Sequence, residues 1–218
     1  MAARGAEHQS TIGMTAAADL VPVVILAAGQ SRRMRGRDKL LEPLGGVAIL
    51  RRQAEAALSL GVPVIVALPP APHPRHDLLT DLPVERLEVA DAAEGLSHSL
   101  RAAIAALPEG TAGVMVMLGD LPGIGAPELA TVLRARQNVP DAQAWQGATE
   151  DGAPGHPILL SSALFPQLAD LTGDVGAGPL LRRLPEGARH LVPLPGLRAR
   201  HDLDTPEDWD TYRAATGL

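Results

Sequence analysis

Short apolar runs alternate with longer amphipathic stretches along most of this chain. Val23-Val24-Ile25-Leu26 carries no polar residue, as a strand buried on both faces of a parallel sheet requires. Val47–Leu60 places Ile49, Leu50, Ala54, Ala57 and Leu58 on one helical face, and Gly61 stops it. Val62–Leu68 predicts a second strand. Pro69–Pro74 is a Pro-rich loop, and Arg75–Leu82 is read as a short helix. Leu87–Ala90 is a weak third strand. Leu96–Leu107 predicts a helix with Leu100, Ile104 and Leu107 on one side. Val114–Leu118 is a further apolar run, ending on Gly119-Asp120. Pro127, placed at a helix N1 position, opens a helix over Pro127–Arg136.

The second half is less regular. Ala142–Thr149 is expected as a strand running antiparallel, with another at Pro157–Leu160 and a helix around Ser162–Leu171. Gly173–Gly178 is a turn-rich loop, Pro179–Leu184 a short helix and His190–Val192 a late strand. Thr205 is an N-cap, with Pro206 at N1 and Asp208 in the capping-box position. Strands alternating with helices of these lengths imply an α/β fold: a three-layer, Rossmann-like, mostly parallel sheet built from right-handed crossovers. Residues 1–20 show no clear period and are expected to be a disordered tail; residues 21–218 read as a single domain.

Composition narrows the function classes. Hydrophobic residues make up 46% of the 218 but aromatics only 2%, so Leu, Val, Ala and Ile must fill the core. The formal net charge of −6 argues against non-specific binding of nucleic acid. With no cysteine, thiolate metal sites, Cys nucleophiles and disulfides are excluded, which fits a cytoplasmic protein. No apolar run approaches the ~20 residues that span a bilayer.

The first strand runs into Ala27-Ala28-Gly29, small residues that let a ligand approach the backbone. Ser31, Arg32, Arg33, Arg35, Arg37 and Lys39 come next. Backbone N–H groups and clustered cations together are suited to a nucleoside triphosphate. The plainer alternative is a strand end leading into a solvated basic loop. Neither G-x-x-x-x-G-K-[ST] nor G-x-G-x-x-G is present. Asp120 stands where Val114–Leu118 ends, and ligands in open α/β sheets bind at the carboxyl ends of strands. A carboxylate there suits Mg²⁺, which takes one or two carboxylates plus phosphate oxygens; a turn-capping Asp is the bland alternative. If Asp202–Asp204 is extended, its two carboxylates point the same way, and one could join Asp120. Otherwise both merely load a helix N-terminus with negative charge.

The pattern L-A-A-G-x-S-x-R-M with a Lys after it resembles the signature of the molybdenum cofactor cytidylyl- and guanylyltransferases, members of the nucleotide-diphospho-sugar transferase fold type. Four further pieces match that family in order: Gly95-Leu96-Ser97-His98-Ser99-Leu100, Gly155-His156-Pro157, Gly173-Asp174-Val175-Gly176-Ala177 and Asp202-Leu203-Asp204-Thr205-Pro206-Glu207-Asp208. The resemblance implies Mg²⁺-dependent transfer of CMP from CTP to the phosphate of molybdopterin. It assigns Arg33 and Lys39 to the triphosphate and Asp120 with Asp204, and less directly Asp202, to the metal. Leu26, Ala27, Ala28, Gly29 and Ser31 would contact the nucleotide, with Ser97 or Ser99 near the base or ribose. His156 and Asp174 would face the acceptor. A molybdenum hydroxylase or its chaperone is the implied transient partner.

Ala28 is the base-discriminating position by that resemblance, since guanylyl members have L-A-G-G. One methyl group narrows the pocket by an amount worth about 1–3 kcal/mol. The sequence departs from the family in Met34-Arg35-Gly36-Arg37-Asp38-Lys39, where an extra Arg precedes the Gly. Two alternatives stay open: a guanylyl- or other nucleotidylyltransferase acting on a sugar or polyol phosphate, and a non-catalytic carrier of nucleotide or pterin.

Overall fold

The computed structural model describes residues 21–173 and 176–218. The expected tail and Asp174 lie outside the described residues. The first strand, β1 (Val23–Leu26), is buried throughout and lies inside a seven-stranded sheet, third from one edge. A two-stranded hairpin comes next, β2 (Pro43–Leu44) and β3 (Val47–Ala48), before α1 (Ile49–Leu58). The hairpin replaces the first residues of the expected helix. Gly45 and Gly46 both have positive φ, 57° and 81°, and such a pair closes a two-residue hairpin turn.

The next elements are β4 (Val64–Leu68), α2 (Pro74–Asp77), β5 (Glu85–Glu88) and α3 (Leu96–Ala105). The helix expected over Arg75–Leu82 is thus a single turn that starts earlier. Strand β5 is the mostly exposed sheet edge, displaced from the expected Leu87–Ala90; an edge strand has little apolar alternation to read. Then come β6 (Gly113–Leu118), α4 (Ala126–Asn138), β7 (Ala144–Ala148), β8 (Pro154–Ser161), α5 (Phe165–Ala169), α6 (Gly178–Arg183), β9 (Arg189–Pro193) and α7 (Pro206–Thr216). Pro127 sits in the first turn of α4, where Gly125 N–H donates to Glu128 at 2.9 Å.

Strand order is β5-β4-β1-β6-β8-β7-β9. The pairings of β1 with β4 and β6, of β4 with β5 and of β7 with β9 are parallel. The reversed strand is β8, antiparallel to both β6 and β7. This corrects the expectation that placed the reversal at Ala142–Thr149. The physical reason is that β8, not β7, is inserted beside β6, while the tight β7–β8 turn, where Thr149 N–H donates to the Ala153 carbonyl at 2.9 Å, turns the chain back between them. So short a connection permits only antiparallel pairing.

Side chains of β1 alternate between two cores. Val23 and Ile25 join Ile49, Leu50, Leu129 and Trp209, from α1, α4 and α7. Val24 and Leu26 join Leu100, Leu168 and Leu181, from α3, α5 and α6. Helices therefore cover both faces, and the sheet lies between two layers. That double burial accounts for the unbroken apolar runs of β1, β4 and β6. Among the described residues no helix is long and apolar enough to cross a membrane.

Candidate active site

The carboxyl ends of β1 and β6 lie side by side, paired Leu26 with Leu118, and the turns leaving the two strands form the floor of a cleft of about 480 Å³. Leu26, Ala27, Ala28, Gly29, Ser31, Arg33, Lys39, Ser99, Asp120, Asp202 and Asp204 all line it, so most of the predicted site residues meet there. Ser97 does not. Its hydroxyl donates to the Gly173 carbonyl at 2.6 Å, and the residue is fully buried. The nucleotide contact expected of Ser97 is therefore replaced by a structural one: it ties the start of α3 to the loop that precedes α6.

Lys39 stands at the centre. Its ammonium donates to Asp120 Oδ2 and, at 2.7 Å, to Asp204 Oδ1. Burial works against its charge, but the two carboxylates outweigh burial and hold its pKa above the ordinary value. Arg33 pairs with the other oxygen of Asp204 at 2.6 Å. The Arg33 side chain is 69% exposed, so this pair adds little stability and is readily exchanged for another anion. Arg35 reaches Glu207 at 2.7 Å and Arg37 reaches Glu42 at 3.2 Å. The extra Arg is accommodated by consecutive left-handed residues, Arg35 (φ 53°) and Gly36 (φ 88°).

The acidic cluster is assembled from two distant stretches. Leu203 N–H donates to the Asp120 carbonyl at 3.3 Å, which holds the acidic loop beside the end of β6. The capping box of α7 fixes its far side. Thr205 N–H and Asp204 N–H donate to Asp208 Oδ2 at 2.8 and 3.1 Å, and Asp208 N–H donates back to Thr205 Oγ1 at 3.2 Å. One carboxylate oxygen from each of Asp120, Asp202 and Asp204 lies within 4.8 Å of the others. Asp120 is 8% exposed, and its Oδ1 is buried with no hydrogen-bond partner among the described residues. A buried, unsatisfied hard oxygen beside two more carboxylates fits a divalent cation such as Mg²⁺. Burial, and then the Asp204 and Asp120 carboxylates, push the Asp202 pKa up. Asp204 goes down, because Lys39 and Asp202 outweigh its burial.

A second cavity of about 360 Å³ adjoins the first and shares Leu26, Leu96, Leu118 and Asp202 with it. His156 lines this second space with Gln146, Gly155 and Arg200. Burial lowers the His156 pKa against the Val116 carbonyl and the Asp120 charge, so the ring is neutral at neutral pH. The Gly of the Gly-His-Pro motif has a steric cause. A Cβ on Gly155 would sit 2.0 Å from the Ala199 carbonyl oxygen, which His156 N–H approaches at 2.8 Å. The motif thereby clamps the segment that leads into Asp202.

Two residues that shape the site carry no mark in the sequence motifs. Asp38 receives Arg75 through both carboxylate oxygens at 2.7 Å, and Arg75 also reaches the Ala27 carbonyl at 2.5 Å. Asp38 could have been noticed beside Lys39. Arg75, alone in a segment rich in Pro and His, carries no local signal.

The chain is 29% identical over 201 residues to the purine catabolism protein PucB of Bacillus subtilis, covering 88% of this chain and 95% of PucB. Its fold matches the crystal structure of a homologue of Mycobacterium tuberculosis Rv0371c from Mycobacterium sp. strain JC1. The TM-score is 0.74 at 28% identity, covering 91% of this chain and 96% of that one. Rv0371c of M. tuberculosis H37Rv has itself been solved in complex with manganese (TM-score 0.71, 27% identity, 88% of this chain and 97% of that one). The family model described as the MobA-like NTP transferase domain matches residues 23–189, and this chain belongs to that nucleotidyltransferase family.

Proposed function

We propose that this protein is a Mg²⁺-dependent cytidylyltransferase that transfers CMP from CTP to the terminal phosphate of molybdopterin. An oxygen of the acceptor phosphate attacks the α-phosphorus of CTP, the bond from that phosphorus to the β-phosphate bridging oxygen breaks, and pyrophosphate leaves. The observation that carries the reading is the meeting of Lys39, Asp120 and Asp204 on the cleft floor, with Asp120 Oδ1 unpaired among the described residues.

Phosphoryl-type transfer needs positioning and charge neutralisation more than covalent help. Lys39 and Arg33 exchange their carboxylate partners for phosphate oxygens of the nucleotide. Asp120 and Asp204, with Asp202 beside them, hold the divalent ion, which when bound supplies further neutralisation of the triphosphate. The backbone of Ala27, Ala28 and Gly29 lies against the nucleotide, and Ser99 is the hydroxyl near the base. The acceptor enters the second cavity, where neutral His156 and Gln146 line the wall; the family resemblance assigns Asp174, which lies outside the described residues, to the same acceptor. Asp202, common to both cavities, marks where the two substrates meet.

Support for CTP over GTP is the Ala28 methyl group in the cleft wall. Support for the pterin acceptor is the ordered set of motifs shared with molybdenum cofactor nucleotidylyltransferases. A cytoplasmic location and transient handover to a molybdenum hydroxylase or its chaperone belong to the same reading.

Calorimetric titration with CTP, GTP, ATP and UTP, with and without Mg²⁺, tests the nucleotide, and pyrophosphate release with molybdopterin tests the reaction. Selective CTP binding that strengthens with Mg²⁺, together with acceptor-dependent pyrophosphate release, is expected. Preference for GTP moves the chain to the guanylyl branch. Pyrophosphate release only with a sugar or polyol phosphate overturns the acceptor, and binding without turnover identifies a carrier.

A further inference from the structure

Arg75 is 2% exposed, although it stands in a short surface turn. Among the described residues all its side-chain bonds run to one segment. Nε and Nη2 fork onto the two oxygens of Asp38 at 2.7 Å, Nη2 reaches Ser31 Oγ at 3.2 Å, and Nη1 reaches the Ala27 carbonyl at 2.5 Å. Ser31 extends the network. Its hydroxyl donates to Asp38 Oδ1 at 3.1 Å and accepts from Lys39 N–H at 3.2 Å. Leu40 N–H donates to Asp38 Oδ1 at 3.0 Å. One guanidinium therefore fastens both ends of the basic loop, the end of β1 and the turn that carries Lys39.

Stability alone does not call for such a group, since apolar residues of similar volume commonly replace a buried ion pair without loss. What the planar fork adds is direction. Ser31 (φ 50°) and Arg35 (φ 53°) adopt the left-handed conformation without being glycine, which the surrounding contacts must impose. The peptide after Ala27 is planar and trans, so holding its carbonyl on Arg75 turns the Ala28 N–H the opposite way. Arg32, Arg33 and Arg35 stay exposed while Arg75 is enclosed, so the network does not draw on the loop's own cations, whose partners are Gln30, Asp204 and Glu207 at the surface.

We propose that Arg75 is a positioning residue: through Asp38 and Ser31 it holds the loop of residues 27–39 in the shape that presents Lys39 and the backbone to the nucleotide's phosphates. The inference rests on the nucleotide reading of the cleft. It requires that losing Arg75 weaken binding in proportion to the phosphates bound, with little effect on the nucleoside.

The test uses the full chain with Arg75→Met, Arg75→Lys and the apolar pair Asp38→Leu/Arg75→Met. Affinities for Mg²⁺-CTP and for cytidine are compared by calorimetry and competition, beside melting temperature and the rate of tryptic cleavage within Arg32–Arg37. Displacement of the loop by enough to lose about one charge-assisted contact to the phosphates predicts a fall in CTP affinity of about ten- to hundredfold. Cytidine affinity is expected to change by less than about threefold, and cleavage of the loop to accelerate. The lysine variant does not rescue, because an ammonium cannot fork onto Asp38. The apolar pair recovers melting temperature and leaves CTP affinity low. Recovery of CTP affinity in the apolar pair, or equal losses for CTP and cytidine, makes Arg75 merely structural and overturns the inference. If the wild-type chain binds none of the four nucleoside triphosphates, the reading of the cleft fails and the inference falls with it.

Discussion

Lys39 and Asp204 are 165 positions apart in the chain, yet the ammonium of one donates to the carboxylate of the other at 2.7 Å. The same ammonium bonds Asp120, 81 positions away. One cation thus joins the end of β1, the end of β6 and the approach to α7, between two acids that a divalent ion would share.

Replacing Lys39 by Ala removes the cation and leaves both acids uncompensated. Triphosphate affinity is expected to fall by about ten- to hundredfold, the worth of about one charge-assisted contact. Nucleoside affinity should barely change. A Mg²⁺ titration without nucleotide should show binding at least as tight as in the wild type, because the ion no longer competes with the ammonium. Equal losses for CTP and cytidine would remove Lys39 from phosphate binding.

Asp120→Asn keeps the shape and hydrogen-bonding capacity of a side chain that is almost fully buried. The fold, monitored by circular dichroism, should survive. Pyrophosphate release should drop by a factor on the order of 10² to 10³, as for other lost electrostatic groups at a transition state, and no longer respond to Mg²⁺. Turnover at the wild-type level would exclude Asp120 from the chemistry.

Ala28 is buried in the cleft wall, so Ala28→Gly enlarges the proposed base pocket by one methyl group. The ratio of GTP to CTP turnover should rise by about tenfold, within the range that a single methyl controls. An unchanged ratio would place base selection elsewhere in the cleft.

Acid should loosen the Arg75–Asp38 network. Burial raises the Asp38 pKa, but the Arg75 hydrogen bonds and charge outweigh it, so the folded value lies below the ordinary 3.8. Between the folded and unfolded values the unfolded chain binds more protons, and stability rises with pH. The contribution is full above 3.8 and is lost as pH falls through the folded value. Urea unfolding followed downward from about pH 6 to below 3.8 tests that decline, and Arg75→Met should flatten it. Other acids held low, such as Asp81 at about 2 beside Arg51, act alike in both chains. Parallel pH curves for the two proteins would contradict the coupling.

Local pattern and capping carried much of this architecture into plain view. The unbroken Val23–Leu26 run could only be a doubly buried strand, and Thr205-Pro206 with Asp208 could only open a helix, because these signals involve neighbours in sequence. The same locality made Asp120 and Asp204 nameable, since one follows a strand and the other precedes a helix, whereas Lys39 stood out through the cluster of cations after the first strand and through the family resemblance. Three things needed the folded chain. The reversal at β8 depends on which strand it pairs with, and pairing is a long-range choice. Ser97 looked free for a ligand until Gly173 came within reach of its hydroxyl. Arg75 entered the site only when packing brought it over the end of β1, 48 residues upstream. Hydrogen bonds between distant segments leave no periodicity behind, so tertiary structure alone decided which of the chain's polar residues hold the loop in shape and which face the cleft.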